Sequence, residues 1–140
     1  MKKPISAILI GAGNRGAQAY APYALRHPEE LRFTAVAEPD PGRRSRFAAQ
    51  YQIPAENCFE SWEPLLARPQ LAESALICTQ DWQHTAPAVA ALSAGYHVLL
   101  EKPMVMNAAE ARGLIEARDR SGKLLVIAFP GSLSPQIRKR

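Results

Sequence analysis

The sequence predicts an α/β fold in which a doubly wound parallel sheet carries helices on both faces. Short apolar segments alternate with helical patterns along the 140 residues. The first apolar segment runs directly into three glycines spaced G-x-G-x-x-G, and polar residues follow several of the other segments. Strands that alternate with helices at this spacing are typical of parallel sheets. We therefore expect one domain over residues 1–128, followed by a tail at residues 129–140.

The first strand, at residues 5–10, ends in the glycine motif of a Rossmann-type domain. The motif consists of Gly11, Ala12, Gly13, Asn14, Arg15 and Gly16. In a dinucleotide site, Gly11 permits the tight turn, Gly13 lets the backbone approach a pyrophosphate, and Gly16 lets helix and strand pack closely. The helix that follows directs its free N–H groups at the phosphates. Glycines also collect in other strand-to-helix turns, but this motif opens a βα unit, which favours a cofactor site.

The other elements follow from apolar periodicity and from capping residues. The pattern predicts strands at 31–37, 58–59, 74–78, 96–100 and 123–128, and helices at 17–25, 41–50, 62–67, 85–94 and 107–121. The predicted N-caps are Asp40, Ser61, Thr85 and Asn107. Gly95 and Gly122 are expected to end helices, Pro22 to kink the first helix, and His97 to pack inside a strand.

Glu38 stands at the end of the second strand, where a dinucleotide fold places its ribose-binding acid. A carboxylate there accepts hydrogen bonds from the ribose hydroxyls and repels a 2′-phosphate, which favours NAD. Arg43 and Arg44 follow closely and could accommodate NADP instead. The alternative is that Glu38 only precedes a helix and binds nothing.

The candidate site residues are predicted to converge at one edge of the sheet. Ligands of such sheets bind beyond the carboxyl ends of the strands, near the point where the strand order reverses. Glu38 and the segments 11–16, 79–84 and 101–103 all follow predicted strands. This convergence supports a cofactor site more strongly than any single motif does.

Composition and charge argue against several other classes of protein. The net charge of +4 lies partly in the tail, and no basic stripe with interleaved aromatic residues predicts nucleic-acid binding. Cys58 and Cys78 lack metal-ligand spacing, so no metal site is expected, and Cys78 is interpreted as a small buried apolar residue. No segment is long enough to span a membrane. Two cysteines without a disulfide pattern favour a cytoplasmic protein.

The run Ala-Gly-Tyr-His-Val-Leu-Leu-Glu-Lys-Pro at residues 94–103 resembles the signature of the Gfo/Idh/MocA oxidoreductases. This is the family of glucose–fructose oxidoreductase and inositol dehydrogenase. The glycine motif, the segment 37–40 and the loop from Thr79 to His84 match the family in order and spacing. The resemblance extends over residues 4–128.

The resemblance implies hydride transfer between a nicotinamide dinucleotide and a hydroxyl-bearing carbon, usually of a sugar or polyol. Lys102 would lie beside the nicotinamide as the catalytic residue and hydrogen-bond the reacting oxygen. Glu101 and Pro103 would help to form the cofactor end of the site, and Thr79 with its loop would pass under the cofactor. His84 matches a histidine of that loop. The plainer interpretations are a solvated charge for Lys102 and a helix-start packing role for His84.

The sequence departs from the family pattern in two ways. Family members are well over twice as long, and a second domain supplies their substrate pocket. Where the family continues with a His-Val-Leu-Arg-Tyr-like segment, this chain has Phe-Pro-Gly-Ser-Leu at residues 129–133 and then a basic tail. These departures imply an incomplete active site in the chain alone and leave a non-catalytic nucleotide-binding or sensor module as the alternative. Apolar strands without complete cover also predict a homo-oligomer.

Overall fold

A computed structural model describes residues 3–12, 21–79, 85–101 and 107–128. Within these residues, six parallel strands form one sheet in the order β3-β2-β1-β4-β5-β6. The strands are β1 Ile5–Ile10, β2 Leu31–Ala37, β3 Cys58–Phe59, β4 Ser74–Ile77, β5 His97–Glu101 and β6 Leu125–Ala128. The helices are α1 Pro22–Arg26, α2 Pro41–Tyr51, α3 Trp62–Ala67, α4 Thr85–Ser93 and α5 Ala108–Ser121. The predicted doubly wound Rossmann-type fold is confirmed.

Two apolar clusters cover the two faces of the sheet. On one face, α3, α4 and α5 pack over alternate strand residues such as Ile8, Ile77 and Leu100. On the other face, α1 and α2 pack over Leu9 and the other residues that point that way. The strand order reverses beside β1, and right-handed connections in opposite directions place their helices on opposite faces. The result is a sheet whose central strands are buried on both sides.

The predicted caps are only partly correct. The Asp40 side chain accepts a hydrogen bond from the backbone N–H of Arg43 at 2.8 Å, and Asn107 forms the predicted capping box with Glu110. Gly122 ends α5 with a left-handed conformation. By contrast, Ser61 occupies the N-cap position of α3 but its side chain makes no capping hydrogen bond. Thr85 directly follows residues outside the described segments, so its capping role stays a prediction.

Strand boundaries differ from the sequence prediction at the start of β5 and at the end of β4. The strand β5 begins at His97, since the N–H of Tyr96 bonds to the carbonyl of Ala91 at 3.0 Å and closes the turn after α4. The buried Tyr96 hydroxyl accepts a hydrogen bond from the N–H of Leu71. Cys78 lies just after β4 and is partly buried against the apolar cluster of the α1/α2 face, so its interpretation as a small buried strand residue is only partly correct.

One predicted helix is described only in part. The structure describes α1 from Pro22 onward, and residues 17–20 of the predicted first helix lie outside the described residues. The His97 ring has the predicted structural role, because its Nδ1 accepts a hydrogen bond from the N–H of Leu124. In the described segments, no helix combines the length and the apolar character that a membrane crossing requires.

The strand β6 forms one edge of the described sheet and is incompletely covered. Leu124, Val126 and Ile127 are 66%, 53% and 38% exposed. The helices α1 and α2 pack against the β2 and β3 side of the sheet, so the described residues provide no helix over the α1/α2 face at β6. The opposite edge, β3, is only two residues long.

Candidate functional site at the carboxyl edge of the sheet

Parallel registration aligns the carboxyl ends of the six described strands. Ile10 of β1 pairs with Ala37 of β2 and Ile77 of β4, and Ile77 pairs with Leu100 of β5. At the edges, Phe59 of β3 and the last residue of β6 end near the same level. The residues that follow these positions therefore lie along one edge of the sheet, where this class of fold binds its ligands.

The turn after β1 is packed against the end of β4. Gly11 has a φ of +96°, and its N–H donates a hydrogen bond to the carbonyl oxygen of Ala37 at 2.8 Å. A Cβ atom built on Gly11 would lie 2.6 Å from the carbonyl oxygen of Cys78 and 3.0 Å from the nitrogen of Thr79. Glycine is therefore required here both by the backbone conformation and by the space available.

Glu38 is the buried charged residue of the described part of the chain, with 5% of its surface exposed. Its Oε1 accepts a hydrogen bond from the N–H of Ala12 at 2.7 Å. Its Oε2 accepts one from the N–H of Asp40 at 2.9 Å. The carboxylate thus connects the turn after β1 with the segment that leads into α2.

The backbone N–H and carbonyl groups of Glu38 are also hydrogen-bonded. Its N–H donates to the carbonyl oxygen of Phe59 at 2.9 Å, and its carbonyl oxygen accepts a hydrogen bond from Nη1 of Arg44 at 2.7 Å. The Arg44 side chain is half-buried, whereas Arg43 is exposed. Of the two arginines considered for NADP, Arg44 is therefore already bonded to a backbone carbonyl.

The positive charge of Arg44 also acts on the neighbouring thiol. Burial raises the pKa of Cys58, and the nearby Arg44 guanidinium partly offsets that rise because it stabilises the thiolate. The hydrogen bond to the Glu38 carbonyl places the Arg44 guanidinium near the end of β2.

Two more of the predicted site residues belong to the same edge. Thr79 follows β4 by two residues, and Glu101 is the last residue of β5; both are half-buried. The structure therefore brings together the described members of the predicted site at one edge of the sheet: Gly11, Ala12, Glu38, Thr79 and Glu101. Gly13, Asn14, Arg15, Gly16, His84, Lys102 and Pro103 lie outside the described residues, and their roles stay predictions.

Sequence reasoning missed the backbone partners of the site. Asp40 was predicted only as a helix cap, yet its N–H also binds the Glu38 carboxylate. Ala12 was assigned to the glycine motif without its hydrogen bond to Glu38. Every residue except proline has an N–H group, so no residue type in the sequence signals these two contacts.

Two other features of the described residues lie at the opposite, amino edge of the sheet. His27, Glu29 and Glu30 bring potential ligand atoms within 4.8 Å of one another, just before β2. They are partly or fully exposed, and the Glu30 carboxylate accepts a hydrogen bond from the Tyr23 hydroxyl. A cavity of about 190 Å³ between α1 and α2 is lined in part by Phe33 and Tyr51. Neither feature adjoins Gly11 or Glu38.

Comparison with known proteins identifies a family. A sequence model described as "Oxidoreductase family, NAD-binding Rossmann fold" (GFO_IDH_MocA) matches residues 5–129. Trans-1,2-dihydrobenzene-1,2-diol dehydrogenase of Bos taurus is 44% identical over 92 residues, which are 65% of this chain and 27% of the relative. The chain thus spans well under half the length of the curated relatives that it matches.

Solved structures share the fold. A WlbA dehydrogenase of Bordetella pertussis, in complex with NADH and UDP-GlcNAcA, superposes with a TM-score of 0.84 over 99% of this chain and 40% of its own, at 19% identity. An inositol dehydrogenase homologue of Azotobacter vinelandii, complexed with NADH and myo-inositol, gives a TM-score of 0.74 at 26% identity. That match covers 91% of this chain and 35% of the other.

We expect substitution of Gly11 by alanine to destabilise the domain by about 2 kcal/mol or more, because a Cβ would contact Cys78 and Thr79 in an unfavourable backbone conformation. Gly113 is a matched control, since it lies inside α5 with nothing within 4 Å of an added Cβ. Gly113→Ala should instead stabilise the domain by about 0.5–1 kcal/mol. Urea denaturation measures both free energies of unfolding. Equal values for the two variants would contradict the close packing at Gly11.

Proposed function

The chain belongs to the oxidoreductase family with the NAD-binding Rossmann fold, and from this membership we propose that it binds a nicotinamide dinucleotide along the carboxyl edge of its sheet. The observation that carries the proposal is the juxtaposition of the Gly11 turn with the buried Glu38 carboxylate. A tight turn with an acid at the end of the next strand is the arrangement that receives pyrophosphate and ribose in this fold.

The described residues have the chemistry that such a ligand needs. Gly11 keeps side-chain atoms out of the turn. The segment 13–16, outside the described residues, is proposed to present backbone N–H groups to the pyrophosphate. Each oxygen of Glu38 accepts one backbone hydrogen bond and can accept another from a ribose hydroxyl. A 2′-phosphate would place negative charge beside this buried carboxylate, so we propose NAD rather than NADP as the preferred cofactor.

We propose that the reaction of the whole protein is hydride transfer at a hydroxyl-bearing carbon of a sugar or polyol. The names of a diol dehydrogenase relative and of an inositol dehydrogenase homologue support this class of substrate. The bound nicotinamide would supply or accept the hydride. Lys102 would hydrogen-bond the reacting oxygen and stabilise its developing negative charge, and Glu101, Pro103, Thr79 and His84 would line the cofactor.

A second candidate is a nucleotide-binding module without catalysis of its own. The observation that favours it is that the groups described at the strand ends, Gly11 and the Glu38 carboxylate, suit a dinucleotide, and neither of them is assigned to a substrate. NADH binding without turnover of any member of a polyol and sugar panel would identify this module. Reduction of NAD by one of them would identify the complete enzyme.

We expect Gly13→Val to abolish NADH binding, because its side chain would occupy the space through which the backbone approaches the pyrophosphate. Isothermal titration calorimetry measures the affinity, and circular dichroism checks that the variant is folded. Gly113→Ala is the control, since Gly113 lies in α5 away from the site, and it should bind NADH like the parent protein. Unchanged affinity in a folded Gly13→Val variant would refute the proposed cofactor site.

We expect NADH to bind more tightly than NADPH by about tenfold or more, because the 2′-phosphate would meet the Glu38 carboxylate. Glu38→Ala should narrow this difference, since it removes both the hydroxyl acceptor and the repulsive charge. Fluorescence titration with each reduced nucleotide measures the ratio. A preference of the parent protein for NADPH would show that Arg43 or Arg44 determines the choice.

We also propose that the chain forms a symmetric dimer in which β6 pairs with β6 of a second copy. Leu124 and Val126 are exposed apolar residues on one face of the sheet, and Ile127 is exposed on the other face. Among the described residues, β6 has no neighbouring strand on its outer edge. Standard interfaces bury about 800 Å² per partner, so the side chains alone are too small and the main-chain pairing of the edge strand must contribute. Residues 129–140 are proposed to be a tail at the position where a second domain begins in relatives.

Light scattering from micromolar concentrations upward should show association of the parent chain. Val126→Lys should yield a monomer, because it places a charge on the edge strand. Ile115→Lys should leave association unchanged, since Ile115 is comparably exposed at 45% but lies on α5. A parent chain that stays monomeric over the whole range would refute the dimer.

A further inference from the structure

We propose that Glu38 is a positioning residue that holds the turn after β1 and the start of α2 in their nucleotide-binding arrangement before any nucleotide binds. The proposal deepens the proposed function and rests on it. It concerns a role in the free protein, separate from the contact of the same carboxylate with ribose hydroxyls.

The first step is the burial of the carboxylate. Glu38 and Ala12 are 5% and 3% exposed. The carboxylate and the Ala12 N–H group therefore have little access to water. Burial of an ionised carboxylate is unfavourable unless hydrogen bonds replace its hydration. The N–H groups of Ala12 and Asp40 provide these bonds at 2.7 and 2.9 Å. The carboxylate and the two N–H groups therefore depend on one another.

The second step is the fixed position of the Glu38 backbone. Its N–H is bonded to the carbonyl of Phe59, and its carbonyl accepts the Arg44 guanidinium. The side chain thus extends from an anchored backbone at the end of β2 to a turn that lies 26 residues earlier in the sequence. Movement of the Ala12 N–H away from its observed position would leave one carboxylate oxygen and one buried N–H without a partner.

The third step is the location of Ala12 between Gly11 and Gly13. The orientation of the Ala12 peptide sets the direction in which the chain enters the segment that is proposed to contact the pyrophosphate. A turn already held in place loses less conformational entropy on binding than a mobile one. Glu38 should consequently strengthen the binding of any dinucleotide, with or without ribose hydroxyls.

Glu38→Gln separates positioning from ribose binding. Glutamine has nearly the same shape, but its amide group replaces one of the two acceptor oxygens with a donor. One backbone N–H would then face another donor. Glu116→Gln is the matched control, because Glu116 is exposed on α5.

The decisive measurement compares NADH with an analogue whose adenosine ribose carries no hydroxyl groups. If Glu38 positions the turn, E38Q should weaken binding of the analogue by about tenfold relative to the parent protein, and E116Q should not. If Glu38 acts only on the hydroxyls, the parent protein and E38Q will bind the analogue equally, which would overturn the proposal.

A nucleotide-free measurement keeps the test independent of the proposed function. Hydrogen exchange at the Ala12 amide should be about tenfold faster or more in E38Q than in the parent protein or E116Q. Unchanged exchange would overturn the positioning role. A parent protein that binds neither nucleotide would instead refute the proposed function, and the exchange result would still decide the role of Glu38. If E38Q does not fold, Glu38→Asp retains the charge and should show the same faster exchange, since the shorter side chain cannot reach both N–H groups.

Discussion

Parallel pairing on both sides of β1 is the constraint on which the other features depend. β1 lies between β2 and β4, and its residues 7–10 are buried on both faces. A parallel neighbour requires a crossover connection, and right-handed crossovers that run in opposite directions from β1 place helices on opposite faces. The same pairing aligns the carboxyl ends of the strands. The site is therefore a consequence of how the sheet is connected, and its residues come from distant parts of the sequence.

The candidate site combines a glycine in the turn after β1 with a buried carboxylate. Gly11 is packed so closely against Cys78 and Thr79 that no side chain is tolerated there. Next to it, the Glu38 carboxylate is stabilised by two backbone N–H groups that come from different loops. The proposed dinucleotide site is based on these two features, since the glycine keeps side-chain atoms out of the turn and the carboxylate can accept hydrogen bonds from hydroxyl groups.

Membership of the oxidoreductase family agrees with the proposed binding of a nicotinamide dinucleotide. The match covers residues 5–129, which include all six strands. Relatives and structural neighbours are about two and a half to four times as long as the part that this chain matches. The cofactor half of a dehydrogenase site can be assembled from the strand ends of one domain. A dehydrogenase also needs side chains that bind its substrate. In this chain the described residues at the strand ends are assigned to the cofactor, so the proposed class of substrate is based on the relatives.

Local sequence determined where many of the strands and helices begin and end, because apolar periodicity, capping residues and glycines act over short distances. β1 and β2 have the predicted bounds, the Asn107 capping box is formed, and Glu38 lies beside the turn of the glycine motif, as its spacing predicted. Tertiary structure decided what depends on contacts between distant segments. The Tyr96 backbone closes a turn instead of extending β5, Arg44 binds the Glu38 carbonyl, and the Ala12 and Asp40 N–H groups bind its carboxylate. Backbone N–H groups are common to nearly all residues, and their partners are chosen only when the strands are brought side by side.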